Sequence, residues 1–487
     1  MFDKKSHLKS LLMQNSFLFQ LLRGLDRRDV RELRKLVLSP FFNLNENVQL
    51  LLEKLLNTVE VRNPDKIGKV GKKFEVDRSL LAETVGGREK DLFYAMSSLS
   101  ENVREYIAQD GLKNDDFLKK LLTIKGLRRR KIDQELERQL KSTFVEHHKT
   151  MTRNATWHFQ NYQLLLEQYE YQHRRTRDAD LQLQEISDEL NAFYIAEMLR
   201  QACAMRAHEA VTQRHYTQPF LAEALRQVES GLYKNTPSVQ AYFLAYKILN
   251  DASASHFQEF KLFLADNRAK FPLDEVRDFY LLAINFCIRR SNAGAPEYIN
   301  EALDLYKDGL ETRILLENGQ LSPFTYNNVL MLALKTQEYD WAKTFLNTFK
   351  SALPAADRNA IFDYNCALLH YRLGEFSEAM TLLQRAAPRD PFQNLHTRIM
   401  LIRIYVETGE IAALESLIES FTKFLVRQKQ LGYHREMCLN FLNFVQKLLK
   451  IKVNDEKQRA ILRGEIEREK LVSEKKWLLE RLSQKIF

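Results

Sequence analysis

His147 and His148 follow Glu146, side-chain types that hold a divalent cation when they converge. Neighbouring residues project about 100° apart on a helix, and the H-E-x-x-H spacing that would put two imidazoles on one face is missing. His208-Glu209 has no second ligand at a usable spacing. The stretch Gly68-Lys69-Val70-Gly71-Lys72-Lys73 lacks both the spacing and the Ser/Thr of a phosphate loop. There is no G-x-S-x-G nucleophile turn. Cys203, Cys287, Cys366 and Cys438 lie 84, 79 and 72 residues apart, with no C-x-x-C or Cys/His spacing. Each sits in an apolar helical stretch, so four reduced, buried thiols are expected. These residues argue for a non-enzymatic chain with no metal and no cofactor.

Chemistry of binding is better represented. Lys125, Arg128, Arg129, Arg130 and Lys131 form a cationic cluster that, with Lys69, Lys72 and Lys73, could contact phosphates. Asp133, Glu135 and Glu137 follow at once and can pair with the arginines along a helix. Aromatic residues that would stack on bases are not interleaved. Arg27, Arg28, Arg31, Arg34 and Lys35 also fall broadly on one side of a short helix, diluted by Asp26, Asp29 and Glu32. The first 150 residues hold 30 Lys+Arg against 22 Asp+Glu, and residues 451–487 hold 10 against 7, whereas the middle is nearly balanced. The basic excess of +9 therefore lives at the ends, an asymmetry that suits an acidic partner.

The elements that must position these residues are helices. Only 15 Gly and 10 Pro occur in 487 residues, far below average usage, and both residues break helices. In 362–391 small or turn-forming residues recur at Ala367, Gly374, Ala379, Ala386 and Pro391. That is the spacing of a helix–turn–helix unit of about 34 residues, which cannot bury its apolar face alone and needs stacked neighbours. Phe279-x2-Leu282-Ala283-x2-Phe286 shows the same kind of pattern on a first helix. Looser versions occur at Leu244-Ala245 with Ile248, at Tyr326 with Val329-Leu330, and at Leu401-Ile402 with Tyr405. Positions 245, 283, 330, 367 and 402 are spaced 38, 47, 37 and 35 apart, the long step absorbing turn-rich inserts at 291–296 and 317–322. Ala302, Ala342 and Ala379 take the small position on second helices, where a methyl lets two backbones approach.

On these residues, the stretch 237–427 resembles the tetratricopeptide-repeat superfamily. The whole chain also resembles a family of all-helical bacterial proteins typical of Bacteroidetes, on 32–48 (ELRKLVLSPFFNLNENV), 316–329 (LENGQLSPFTYNNV) and 474–482 (EKKWLLERL). The second resemblance implies a fold and no activity. The first implies an α-solenoid of antiparallel helix pairs whose first helices line a concave groove. Transferring that register selects Tyr242, Tyr246, Arg277, Tyr280, Asn327, Tyr364, Tyr371, His396 and Arg403 as groove residues. Tyr and Arg combine large contact area with polar tips, as binding hot spots do. The superfamily's clamp for a C-terminal carboxylate is absent, since Tyr364 and Leu368 occupy two of its positions.

The N-terminal region, 1–110, reads as basic helices: one ending at Gly24, one capped by Asp26 and running to Leu38, one opened by Asn45, a short one started by 77–80 and ended by Gly86-Gly87, and one over 89–108. Residues 111–236 read as long helices continuing the array, with Gly126 preceding a polar helix over 127–150, another over 154–176, and a strong stripe at Ile186, Leu190, Phe193, Ala196, Leu199 and Cys203. Repeats then occupy 237–450, and one helix over 455–483 caps the array, with a dimerising coiled coil as the alternative. The early run 8–22 is interrupted by polar residues and lacks a cleavage site, and 281–288, the longest apolar run, is too short to span a bilayer. The expectation is an all-α, cytoplasmic, non-enzymatic scaffold that binds a protein or peptide in its groove. Nucleic-acid binding through the basic N-terminal third is the alternative, and the oligomeric state stays open.

Overall fold

The computed structural model describes residues 16–56, 78–175, 180–209, 212, 214–251, 253–386, 391–428, 431–451 and 455–483. Among them are 23 α-helices, two 3₁₀ turns and no strand; Glu317 and Gln320 form a lone bridge. The basic loop around Lys69, Lys72 and Lys73 lies outside the described residues. The chain divides after Phe279 into two compact units, 1–279 and 280–487.

Unit 1 begins with α1 (Phe17–Gly24), α2 (Arg27–Leu38), α3 (Glu46–Leu56) and α4 (Arg78–Thr84), all packed on the long α5 (Glu89–Asn114). Asp26 starts α2 through a capping box: its carboxylate accepts from the Arg28 and Asp29 amides at 2.7 and 2.8 Å, and Asp29 returns a bond to its amide at 2.9 Å. Leu18, Phe19, Leu22, Leu33, Val37, Leu51, Leu55 and Leu99 close one core here. The chain continues through α6 (Asp116–Arg130), α7 (Asp133–Lys149), α8 (Ala155–Gln172), α9 (Leu183–Glu209), α10 (Leu221–Glu229), α11 (Pro237–Asn250) and α12 (Ala254–Asn267), each packed on its neighbours in turn. Helix α13 (Leu273–Asn292) carries the unit boundary.

Two helix boundaries and one buried stripe differ from the sequence reading. Gly126 lies inside α6, and the break falls at Lys131, which adopts φ 57°. Asp115 explains the early start: its side chain caps α6 by accepting from the Leu118 amide at 2.8 Å. The stripe on α9 is buried only from Ala196 onward, and Leu190 is 41% exposed. The first half of that helix packs through a polar contact, with Glu189 accepting from Asn161 Nδ2 at 3.0 Å. The capping helix is broken in two, as described below.

Unit 2 continues from α13 with α14 (Tyr298–Glu311), α15 (Pro323–Lys335), α16 (Tyr339–Phe349), α17 (Arg358–Leu373), α18 (Phe376–Ala386), α19 (Pro391–Thr408), α20 (Ile411–Arg427), α21 (Tyr433–Lys450), α22 (Glu456–Arg468) and α23 (Lys475–Ser483). From α14 onward each helix packs on the next, and α15 also packs on α17. The hairpin α17–α18 turns at Gly374, whose φ of 81° only glycine adopts without strain. Ala283, Ala302, Leu330, Ala342, Ala367, Ala379 and Ile402, positions chosen from sequence for close helix approach, have no exposed surface in the structure. So does Ala245 in unit 1. The single terminal helix expected over 455–483 is two helices, α22 and α23, turned at Glu474 with φ 54°. Gly464 and the run of charges around Arg468 give the helix too little apolar surface to continue, and the turn lets α23 fold back onto α21.

Candidate partner-binding face

The residues selected by the repeat register fall in both units. In unit 1, Tyr242 on α11 is buried and donates from its hydroxyl to Glu275 Oε2 at 3.1 Å. Burial, with Glu275 alongside, raises its pKa well above the usual tyrosine range. The N-cap residue of α8, Asn154, donates to the other Glu275 oxygen, so one carboxylate ties α8, α11 and α13 together. Burial pushes the Glu275 carboxyl up, while Asn154 and Tyr242 hold it down. Tyr246 is half-buried beside Arg206, and Arg277 is half-buried next to Asp278.

In unit 2, Tyr280 is buried and its hydroxyl donates to Asp308 on α14. Asn327 is half-buried and His396 is exposed. Tyr364, Tyr371 and Arg403 come together. Tyr364 and Tyr371 are seven residues apart and share a face of α17. Tyr371 donates to Glu407 Oε1 at 2.8 Å and accepts from Arg403 Nη2 at 3.0 Å. The Arg403 guanidinium carbon lies 4.7 Å from the Tyr371 ring centroid and 5.7 Å from that of Trp477. Burial pushes the Tyr364 hydroxyl up to about 12, with Glu474 adding to it and Arg403 opposing it. Tyr371 is likewise pushed up to about 12, mainly by burial.

What covers this face is the chain's own C-terminal helix. From α23, Trp477 Nε1 donates to Glu407 Oε1 and Arg481 Nη1 to Glu407 Oε2, both at 3.1 Å. Glu474, at the turn before α23, accepts from Arg403 Nη1 at 2.8 Å. Trp477, Leu478 and Leu482 are 4%, 1% and 5% exposed and pack into the core that holds Ile402, Val406 and Phe441. Helix α23 thus rests on two first helices, through Arg403 and Glu407 of α19 and Phe441 of α21, whose ring is 6.0 Å from Trp477, while Tyr371 of α17 binds the same Arg403 and Glu407 side chains. Sequence reasoning missed Glu407, Trp477 and Arg481. The available signal was one of only three tryptophans four residues before an arginine, which puts both side chains on one helix face.

The cationic cluster is divided. Arg128 turns inward, donating from Nε to Glu167 Oε2 at 2.7 Å with Glu170 at 3.5 Å. Arg129, Arg130 and Lys131 are exposed and Lys125 is half-buried. Among the described residues no three His, Cys, Asp or Glu side chains converge as metal ligands, and no helix is long and apolar enough to cross a membrane. All four cysteines are free; Cys203, Cys287 and Cys438 are buried and Cys366 is half-buried. Comparison of the chain with protein-family models, with curated proteins and with solved structures found no match.

Proposed function

We propose that this chain is a non-enzymatic helical-repeat scaffold, its hairpins stacked as an α-solenoid, that binds a helical segment of a protein partner on the first helices of those hairpins. The observation that carries this reading is that the face formed by Tyr371, Arg403 and Glu407 already holds a helix through aromatic and charged side chains. Rigid helix pairs present these groups in fixed positions, so little ordering entropy is lost on binding. The mode is a helix laid across a groove, with anchors one turn apart. Four free thiols fit work in a reducing compartment, the cytoplasm.

The reading is tested by screening a displayed library of helical peptides against the full chain and against Tyr364→Ala and Glu407→Lys variants. Peptides that bind the parent chain and lose at least tenfold in affinity on either variant support it. Equal enrichment on all three, or no enrichment on the parent, overturns it.

A further inference from the structure

We propose that residues 475–483 are a resident, displaceable ligand of the first-helix face in unit 2, and that the partner of this face is a basic protein helix carrying an indole and a guanidinium four residues apart. This inference rests on the binding reading above and adds the chemistry of the partner and its control.

The carboxylate of Glu407 is the organising group. Its side chain is 15% exposed and receives three donors: the Tyr371 hydroxyl from the receptor side, and the Trp477 indole and Arg481 guanidinium from α23. A hydrogen bond to a shielded carboxylate is stronger and more selective than one in water. Two donors at i and i+4 from one helix specify both its axis and its register. Leu478 and Leu482, each one residue after a donor, fill the apolar floor. The recognised pattern is therefore W-L-x-x-R-L, and the charge of the segment, with Lys475, Lys476 and Arg481 against Glu480, suits a face centred on a carboxylate.

Three features mark α23 as replaceable rather than permanent. It is nine residues long, too short to be stable as a helix unless something holds it. It enters through Glu474, a non-glycine residue at φ 54°, a conformation that favours release. Its fit is also incomplete: the Nε atoms of Arg403 and Arg481 are buried without an acceptor. A buried donor without a partner is costly, so a helix that brings an amide or carboxylate oxygen to Arg403 outcompetes the resident one. The resident helix then acts as a lid, keeping the face closed until a better-matched helix arrives.

The test places a site-specific protease sequence in the 469–474 loop of the full chain and follows a fluorescent peptide of residues 469–487 by anisotropy. The peptide should bind the cut chain, freed of its own fragment, at least tenfold more tightly than the uncut chain. Arg481→Glu in the peptide or Glu407→Gln in the cut chain should remove most of that gain. Because the cut chain can unfold, an uncut Trp477→Ala/Arg481→Ala variant is measured alongside, and it should bind the peptide more tightly than the parent. If the fragment never exchanges and the uncut double variant binds no peptide, α23 is a fixed part of the core and the inference is overturned. Library peptides that bind the parent chain without competing with the 469–487 peptide would overturn this inference while leaving the scaffold reading standing. Exchange of the 469–487 peptide with no library binder would overturn the scaffold reading and with it the partner named here, leaving α23 only as a displaceable segment.

Discussion

Arg128 and Glu167 form a charge-assisted pair across the α6–α8 interface, 2.7 Å from Nε to Oε2, with the Glu167 carboxylate 7% exposed. Within a run of three arginines, one is therefore committed to the interior. Arg128→Ala leaves a buried carboxylate without its cation, which costs about 2–4 kcal/mol, below the figure for a fully buried pair because Arg128 keeps some solvent contact. Thermal unfolding should shift down by several degrees. Arg129→Ala and Arg130→Ala, at exposed positions, should leave the midpoint where it is. Equal effects at all three positions would contradict this division.

The exposed Arg129, Arg130 and Lys131 make the nucleic-acid alternative open to direct measurement. A scaffold of the kind proposed should show only weak, sequence-independent binding to duplex or single strands at low salt, gone by about 200 mM, because few phosphates are neutralised. Binding that survives that salt, and is lost when all three cations are changed to Glu, would make nucleic acid the partner.

The helical class and the close-packed positions were legible because they depend on residue size at a fixed period. Alanine at 283, 302, 342, 367 and 379 reports directly on helix separation, and all five are fully buried. Helix ends were less legible. Lys131 ends α6 in a left-handed conformation that glycine usually takes, while Gly126 sits inside the helix. The face in unit 2 was half legible. Tyr364, Tyr371 and Arg403 follow from the register, but their carboxylate partner comes from one helical turn beyond Arg403, and their cover comes from 70 residues downstream. No local periodicity records a contact of that separation, so the returning helix was visible only as an apolar segment with charges.

Acid sensitivity should trace to His147. Its ring is stacked on Trp157 with centroids 4.8 Å apart, and its Nε2–H donates to the Trp157 carbonyl at 3.1 Å. Burial lowers its pKa to about 4, with His148 and Arg153 adding to the shift, and the Trp157 carbonyl and Glu189 opposing it. The native imidazole stays neutral where the unfolded one, near pH 6.5, takes up a proton. The unfolded state then binds more protons, so stability is complete above about pH 6.5 and declines as pH falls toward 4. Midpoints of thermal unfolding for the parent and His147→Asn, taken from pH 7.5 to 4.5, should show a steeper acid-side decline in the parent. Parallel curves would assign the sensitivity elsewhere.

Two helical glycines should respond to alanine with opposite signs. Gly111 on α5 has open space around it, so Ala gains helix propensity of about 0.5–1 kcal/mol. Gly309 on α14 lies under Leu315, and an added methyl would meet Leu315 Cγ and Cδ1 at 2.8 Å and Tyr280 Cδ1 at 3.3 Å. Leu315 cannot swing aside freely: it is 6% exposed and its amide donates to the Gly309 carbonyl at 3.0 Å. Overpacking at such a site costs about 1–3 kcal/mol, which exceeds the propensity gain. Urea midpoints should therefore rise for Gly111→Ala and fall for Gly309→Ala, and a rise at Gly309 would mean that the α14–α15 turn yields more readily than its packing implies.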